Sequence, residues 1–375
     1  MAVAEVGTVN MAAMAEYLGA TLGTTVEIVA FRRLGEADTA SDPKQFGYGV
    51  PFEVECRVDG VTRQFVVSRT RPAQGFGHDY PADRAWQALY GHPAYNSFPR
   101  HVRSLDVGFI RASGELVSAA DATDFFQLVE KADGTLYWHD LDRLFHGAPL
   151  TARDEARTEA LARFLAGAHA IKRDEPTLYE RRIRELLGHG ECVMGILDSY
   201  PHPYALFPPA ACEELERHLV TWRWRLRSRT RRLSRVHGDF HPWNLLFRAG
   251  TDFSVLDRSR GEWGEPADDV AALAANYLFF GIRTAQARSA RGVAEPFRGL
   301  FHHFLTVYVA ASGDAEVLDT LPPFLAFRLL VLAHPRWYPT LTDAARTELL
   351  GLAQSVMLST HLDPADLSWR CGGDR

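Results

Sequence analysis

The spacing of apolar positions changes along the chain. In the N-terminal part, short runs rich in β-branched and aromatic residues are separated by turn residues, a pattern that predicts strands. These strands are expected at Val26 to Leu34, Phe52 to Val58, Thr62 to Thr70, Val107 to Ile110 and Phe125 to Glu130, with helices near Met11 to Gly19 and Asp79 to Gly91. The dipeptide Asp59-Gly60 predicts a hairpin turn between the second and third strands.

Helical spacing takes over from Thr151 onwards, where apolar residues recur three and four positions apart. Long helices are expected at Ala267 to Phe280, Phe297 to Ala311, Pro322 to Ala333 and Thr342 to Ser359. One β-like insert interrupts this part, with strands at Leu233 to Val236, Leu245 to Arg248 and Phe253 to Asp257. The pattern predicts an α+β fold with a β-rich region, 1–135, and a helical region, 136–375.

Composition narrows the class of protein. The 375 residues are 46% hydrophobic and 23% charged, as in ordinary globular proteins, so a disordered chain or a long coiled coil is excluded. Four scattered cysteines form no CxxC pair, and the N-terminus lacks the basic and apolar blocks of a secretory signal. We therefore expect a cytoplasmic protein.

The charge pattern gives no sign of a nucleic-acid or membrane partner. The formal net charge is -6, and no uncharged stretch approaches the roughly 20 residues needed to cross a bilayer. An arginine-rich run at 223–235 has Trp222 and Trp224 interleaved. Because Leu219, Trp222, Leu226 and Leu233 recur at helical spacing, we interpret these arginines as the solvated faces of a helix.

The string His237-Gly238-Asp239-Phe240-His241-Pro242-Trp243-Asn244 carries the clearest chemistry. Phosphoryl transfer to a hydroxyl needs a carboxylate that orients the alcohol and oxygen ligands that hold Mg²⁺. Asn244 lies five residues after Asp239, the interval that joins the catalytic Asp to the metal-binding Asn in the protein-kinase loop. Asp257 ends the strand that is expected to return to this loop.

Two other interpretations of the string remain open at this point. It could be a structural turn built on Pro242, or His237, Asp239 and His241 could form an H-x-D-x-H metal cluster of hydrolase type. The metal cluster would leave Asn244 and Asp257 without a role.

With these residues the chain resembles the aminoglycoside phosphotransferase and choline kinase group of small-molecule phosphotransferases. Their loop reads HGDxHxxN and is followed by a strand ending in a metal-binding Asp. Gly264-Glu265-Pro266-Ala267-Asp268-Asp269-Val270-Ala271 is similar to the family segment G-D-P-x-x-D-L-A, and the helical segment Leu161 to His169 also resembles its counterpart. The likeness covers roughly residues 25 to 280 and implies a two-lobe protein-kinase-like fold with a nucleotide cleft between a small N-lobe and a larger C-lobe.

The resemblance also implies residue roles. Asp239 would orient the acceptor hydroxyl, with His237 beside it in the catalytic set, and Asn244 and Asp257 would bind Mg²⁺. Asp269 and His241 would support the loop. Glu130 and Lys131, in the connection 127–131, would meet the adenine of ATP, and the glycine-containing segment 35–49 would cover its phosphates.

The chain departs from the family pattern at the third strand, where the family has a phosphate-binding lysine. This strand reads Val66-Val67-Ser68-Arg69, and the chain has only three lysines, at positions 44, 131 and 172. Arg69 or Lys44 is therefore expected to contact the phosphates, since a guanidinium also binds phosphate. Asp83 is the candidate for its acidic partner.

A second departure follows the metal-binding Asp, where many relatives have an aromatic and an acidic residue. This chain has Arg258-Ser259-Arg260, which does not suit a polycationic acceptor. We expect an ATP- and Mg²⁺-dependent kinase acting on the hydroxyl of a neutral or anionic small molecule. The alternative is a pseudokinase-like module that binds nucleotide without turnover.

Overall fold

The computed structural model describes residues 10–34, 48–72 and 76–364. The chain divides into two compact units, Met1–Val129 and Glu130–Arg375. Helices and sheets both occur, which confirms the α+β class. The predicted boundary at residue 135 falls in the first strand of the second unit, and the assignment of functions to the two regions stays a prediction.

The first unit contains a three-stranded antiparallel sheet. Its elements are α1 (Met11–Leu22), β1 (Val26–Arg33), β2 (Gly49–Val58), β3 (Val61–Thr70), α2 (Pro81–Ser97), β4 (Gly108–Ile110) and β5 (Leu116–Ser118). The strand order is β1-β2-β3, and α1 packs Met14 and Leu18 against the sheet. Asp59 and Gly60 have φ angles of 49° and 79°, which is the left-handed pair that a tight hairpin requires. The predicted hairpin is confirmed.

The predicted strand at Phe125 to Glu130 is wrong. Residues 121–134 form neither helix nor strand, and the side chains of Phe126 and Leu128 are 95% and 91% exposed. Apolar composition favours a strand only when a neighbouring strand supplies hydrogen bonds, and the described residues provide none here. This segment instead crosses from the first unit to the second.

The second unit is mainly helical. Its elements are β6 (Thr135–Leu136), α3 (Trp138–Phe145), α4 (Ala152–His169), α5 (Pro176–Gly188), α6 (Val193–Ser199), α7 (Pro209–Leu226), β7 (Ser234–Arg235), β8 (Leu245–Phe247), β9 (Phe253–Val255), β10 (Trp263–Gly264), α8 (Pro266–Ala287), α9 (Phe297–Ser312), α10 (Val317–Ala333) and α11 (Asp343–Leu358). On α7 the predicted apolar stripe is confirmed at Leu219, Trp222 and Leu226, which are buried. The helix ends at Leu226, so Leu233 lies outside it, and Arg232 is buried, so the interpretation as solvated helix faces is wrong for that end of the arginine run.

Helix α8 runs through the centre of this unit. Pro266 occupies its first turn, where a missing N–H costs nothing, and the side chain of Glu265 caps the helix by accepting the N–H of Ala267. Almost every residue after that is buried, and α8 packs against α9, α10 and α11. A helix buried on all sides is apolar all round. It therefore fixes the two acidic residues of its first turn, Asp268 and Asp269.

Two small sheets place the insert that interrupts the helices. In the first, β6, β8 and β9 pair antiparallel, with Leu245 opposite Val255. In the second, β7 pairs with β10. The buried guanidinium of Arg157 on α4 donates to the carbonyls of Arg248 and Gly250, so the turn between β8 and β9 is fastened to a helix.

No helix among the described residues is long and apolar enough to span a membrane.

Leu273→Ala tests the central position of α8. The Leu273 side chain is fully buried, so its truncation leaves a cavity that the packed helices can close only in part. We expect the free energy of unfolding to fall by about 2 to 5 kcal/mol, measured by urea denaturation. Arg217→Ala, at an exposed position of α7, is the control and should change it by less than about 0.5 kcal/mol. A Leu273→Ala loss no larger than that of the control would contradict the buried position.

Candidate active site

The loop between β7 and β8 is held by one buried carboxylate, that of Asp269. Its Oδ2 accepts the backbone N–H of His237 and its Oδ1 accepts the N–H of Gly238, both at 2.7 Å. Gly238 has φ of 87°, and a Cβ on it would lie 3.0 Å from the Cβ of Arg260. Only glycine combines this backbone conformation with so little space. The loop therefore turns sharply at Gly238, where its backbone is hydrogen-bonded to α8.

A second residue holds the carboxylate itself. His169, at the end of α4, has its Nε2 3.1 Å from Oδ2 of Asp269, and its Nδ1 lies 2.8 Å from the hydroxyl of Tyr308. The ionised carboxylate only accepts, so Nε2 carries the proton and Nδ1 accepts from Tyr308. Burial opposes ionisation of Asp269, but the hydrogen bonds from His169 and from the backbone N–H of His237 outweigh it and lower its pKa.

The ring of His237 braces the loop against the strand that follows. Its Nδ1 accepts the N–H of Asp239, so Nε2 is protonated and donates to the carbonyl of Leu256 at 2.9 Å. Both ring nitrogens are thus engaged within the protein. The H-x-D-x-H interpretation needs one of them as a metal ligand, and it is wrong on this geometry. The described residues hold no cluster of three or more His, Cys, Asp or Glu suited to a metal.

Asp239 belongs to an ion cluster with the buried Arg328 of α10 and with Asp268 of α8, and both carboxylates are half-buried. The guanidinium of Arg328 donates to Oδ1 of Asp239 at 2.5 Å, to Oδ1 of Asp268 at 2.6 Å and to the carbonyl of Gly238 at 2.8 Å. Burial opposes ionisation of Asp239, yet the hydrogen bond from His241 and the charge of Arg328 hold its pKa well below the usual range. Asp239 is therefore a permanent anion at neutral pH.

His241 and Asn244 complete the loop around this anion. The Nε2 of His241 lies 3.3 Å from Oδ2 of Asp239, and its Nδ1 accepts the N–H of Trp243 in the single 3₁₀ turn Pro242–Asn244. The amide nitrogen of Asn244 donates to the carbonyl of Asp239 at 3.0 Å. Because a carbonyl can only accept, this bond fixes which end of the Asn244 amide is the nitrogen, and Oδ1 remains available as a ligand.

Asp257 follows β9 directly. The N–H of Leu256 donates to the carbonyl of Asn244 at 2.8 Å, so the backbone before Asp257 is hydrogen-bonded to the loop. Asp257 has φ of 52°, a left-handed conformation that aspartate tolerates better than most residues. Its side chain is exposed and bonds to no other side chain within the described residues. A carboxylate without a side-chain partner among the described residues keeps its acceptor positions available to a ligand.

Arg69 lies in the first unit, on β3 opposite Val50 of β2. Its guanidinium packs over the ring of Phe52, with 5.3 Å between Cζ and the ring centroid. Nη1 is buried and makes no hydrogen bond, and burial lowers the pKa of the side chain. Asp83 accepts the N–H of Tyr80 at the start of α2, and its pairing with Arg69 stays a prediction.

The other residues expected to contact the nucleotide are Lys44, Glu130 and Lys131. Lys44 and most of the segment 35–49 lie outside the described residues. Glu130 is exposed, and the side chain of Lys131 is 91% exposed, with its Nζ 3.8 Å from the carboxylate of Asp133. Their proposed contact with adenine stays a prediction.

The sequence reasoning missed Arg328. It lies 89 residues after Asp239, so spacing within a motif could not connect the two. One signal was present, because Arg328 is the only charged residue in the apolar run from Leu321 to Ala333. A lone charge in a helix that must be buried needs partners of the opposite sign.

The sequence profile of the phosphotransferase enzyme family matches residues 58–299. No curated protein matches the full sequence significantly. Among solved structures, a glucosamine kinase in complex with glucosamine, ADP and inorganic phosphate is 19% identical, covers 60% of this chain and 59% of its own, and has a TM-score of 0.38.

Two further structures are similar at the same level. A glucosamine kinase in another crystal form is 14% identical, with 89% of this chain and 92% of the other covered and a TM-score of 0.41. The choline kinase from Cryptosporidium parvum Iowa II is 12% identical, with 89% and 88% covered and a TM-score of 0.34.

Asp269→Asn tests the anchoring of the loop. The amide can accept only one of the two backbone N–H groups and turns its own donor towards the other. We expect the free energy of unfolding to fall by about 1 to 3 kcal/mol and hydrogen exchange at His237 and Gly238 to accelerate. Asp252→Asn, at an exposed carboxylate, is the matched control.

The same variant has an acid-stability signature. Because the pKa of Asp269 is lowered in the folded protein, its contribution is complete above the unfolded value of about 3.9 and is lost as pH falls through the folded value. The stability difference between the original protein and Asp269→Asn should therefore shrink below about pH 4. A difference that stays constant on acidification would contradict the anchoring by an ionised carboxylate.

Proposed function

The chain belongs to the phosphotransferase enzyme family, and from this premise we propose that it transfers the γ-phosphoryl group of ATP, with Mg²⁺, to a hydroxyl of a small molecule. The observation that carries the proposal is the ionised carboxylate of Asp239, fixed in a loop that also presents the amide oxygen of Asn244. The two-lobe protein-kinase-like fold implied by the resemblance is part of the proposal.

Asp239 is suited to orient an alcohol. A carboxylate has about four acceptor positions, and Arg328 and His241 take one on each oxygen. An acceptor hydroxyl can use a remaining position. With a pKa this low, Asp239 is a weak base, so its contribution is to align the attacking oxygen while the transition state remains loose.

Asn244 and Asp257 fit a magnesium site. Mg²⁺ prefers oxygen ligands. Asn244 offers its amide oxygen, whose orientation is set by the hydrogen bond of its Nδ2, and Asp257 offers an exposed carboxylate that bonds to no described side chain. When bound, Mg²⁺ would neutralise the charge of the phosphates. The chain's own contribution is to hold the two oxygens on neighbouring segments, joined by the hydrogen bond between Leu256 and Asn244.

Arg69 is our candidate for the phosphate contact that the family assigns to lysine. Its buried Nη1 lacks a partner, which is costly unless a ligand supplies an acceptor. A guanidinium binds phosphate through two parallel hydrogen bonds, so Arg69 can supply the positive charge of the family's lysine with a different geometry. Backbone groups near Glu130 and Lys131 would meet the adenine.

The acceptor in this proposal is neutral or anionic. Two arginines lie at the loop, because Arg328 donates to Asp239 and Arg260 packs beside Gly238, and the charges of both contribute to the lowered pKa of Asp239. A polycationic acceptor would be repelled. A nucleotide-binding module without turnover is the alternative, and the presence of Asp239, Asn244 and Asp257 together opposes it.

Asp239→Asn tests the reaction itself. The amide keeps the volume but loses the negative charge that aligns the hydroxyl, so we expect acceptor-dependent ADP formation to fall by about 10² to 10⁴. The measurement is ADP release with a pool of hydroxyl metabolites, Mg²⁺ and ATP, with EDTA as a second arm. Asp252→Asn serves as the matched control. Nucleotide binding without acceptor-dependent ADP release in the original protein would establish the binding module instead.

Arg69→Ala tests the phosphate contact separately. We expect KM for ATP to rise by about 10-fold or more, the loss expected when one charge-assisted pair is removed, with a smaller change in KM for the acceptor. Arg57→Ala, at an exposed position of the adjacent strand β2, is the control. Unchanged KM for ATP in Arg69→Ala would assign the phosphates to another residue.

A further inference from the structure

Three arginines approach the catalytic loop, and they differ in what their guanidinium groups bind. Arg258 donates to the carbonyls of Val236 and Glu262 at 2.9 and 3.1 Å, so it braces the backbone. Arg328 is shared between Asp239, Asp268 and a backbone carbonyl. Both cations are therefore committed to the protein.

Arg260 is placed beside the same carboxylate. Its Cβ packs on Gly238, the residue before Asp239, and its guanidinium lies over the ring of Phe327, with Cζ 5.8 Å from the centroid. The adjacent residue, Arg328, packs against the same ring at 4.8 Å. The charge of Arg260 also contributes to the lowered pKa of Asp239, and it opposes the rise that burial gives to the pKa of Asp268.

The donors of Arg260 are not used by the protein. Within the described residues its guanidinium makes no hydrogen bond, and its one ion pair, with Glu191, spans 3.9 Å to a carboxylate that is 69% exposed. A pair of that length with an exposed partner contributes little. A guanidinium carries five N–H donors in a planar fork that matches carboxylate and phosphate. With its side chain 26% exposed, Arg260 is open to a ligand.

We propose that Arg260 binds an acidic group of the acceptor, a carboxylate or a phosphate, and that this contact makes the enzyme select anionic hydroxyl compounds. The inference rests on the proposed function and narrows its acceptor class. An anionic acceptor is otherwise repelled by Asp239 and by the nucleotide phosphates, so a free cation beside the attacking hydroxyl offsets a specific cost.

The experiment uses acceptors that differ only in charge. One set is glucuronate, glucose 6-phosphate, glucose and glucosamine; the other is glycerate, glycerol and 3-aminopropane-1,2-diol. ADP release gives kcat and KM for each compound, and saturation-transfer NMR without nucleotide gives binding. We expect the anionic member of at least one set to be preferred by about 10-fold or more in kcat/KM. Preference for the phosphate or for the carboxylate identifies the acidic group.

Two variants and a control make the assignment specific to this residue. Arg260→Ala should raise KM for the preferred anion by about 10- to 100-fold and abolish the discrimination. Glu191→Gln, which removes the weak competing carboxylate, should lower that KM by a few-fold. Arg217→Ala should change neither value. The Kd for ATP, measured for every variant, reports that the protein remains folded.

The outcomes separate the two proposals. Acceptor-dependent ADP release without preference for an anion in either set, or with a preference that survives Arg260→Ala, overturns the role of Arg260 and leaves the kinase proposal standing. Anion binding that depends on Arg260 without ADP release from any acceptor supports the anion site and overturns the kinase proposal. Absence of anion binding in both sets overturns the anion site outright.

Discussion

A buried carboxylate that accepts two consecutive backbone N–H groups sets the position of every reactive side chain in the loop. Asp269 lies on α8, a helix that is buried along most of its length, so its position is fixed by packing. Through His237 and Gly238 it fixes the backbone immediately before Asp239. Positioning of this kind is the main resource of phosphoryl transfer, where little covalent chemistry falls to the protein. Oδ2 of Asp269 also bonds His169 of α4, so the loop is held by α8 and α4 together.

The ionised state of Asp239 also depends on the charges around it. Asp239 and Asp268 are two carboxylates in a site of low exposure, and alone they would raise each other's pKa. Arg328 prevents this for Asp239 by donating to both, and the cost of burying the cluster is offset by its hydrogen bonds. One nitrogen of Arg328, Nε, is buried without a partner, so the cluster is not fully satisfied by the protein. A site that is to receive a ligand commonly retains such an unmade bond.

Local rules were enough for the elements and for the loop. The left-handed pair Asp59-Gly60, Pro266 at a helix start and the five-residue interval from Asp239 to Asn244 each act within a few residues, and the structure shows the hairpin, the helix and the folded loop at these places. What could not be predicted depends on partners far apart in sequence. Arg328 reaches Asp239 only because α10 packs on α8, and Phe125 to Glu130 is not a strand because no described neighbour pairs with it.

The arginines after Asp257 show why composition alone could not define the acceptor. In sequence Arg258 and Arg260 look equivalent, yet their neighbours give them different chemistry. Two backbone carbonyl groups accept from the first, while the second lies over an aromatic ring, a contact that leaves the edge of the guanidinium fork free. The loop that carries Asp239 and the side chain of Arg260 are thus adjacent through Gly238 but make separate contacts. Changing the residue at 260 alters the charge beside the loop without removing any bond that holds Asp239 in place.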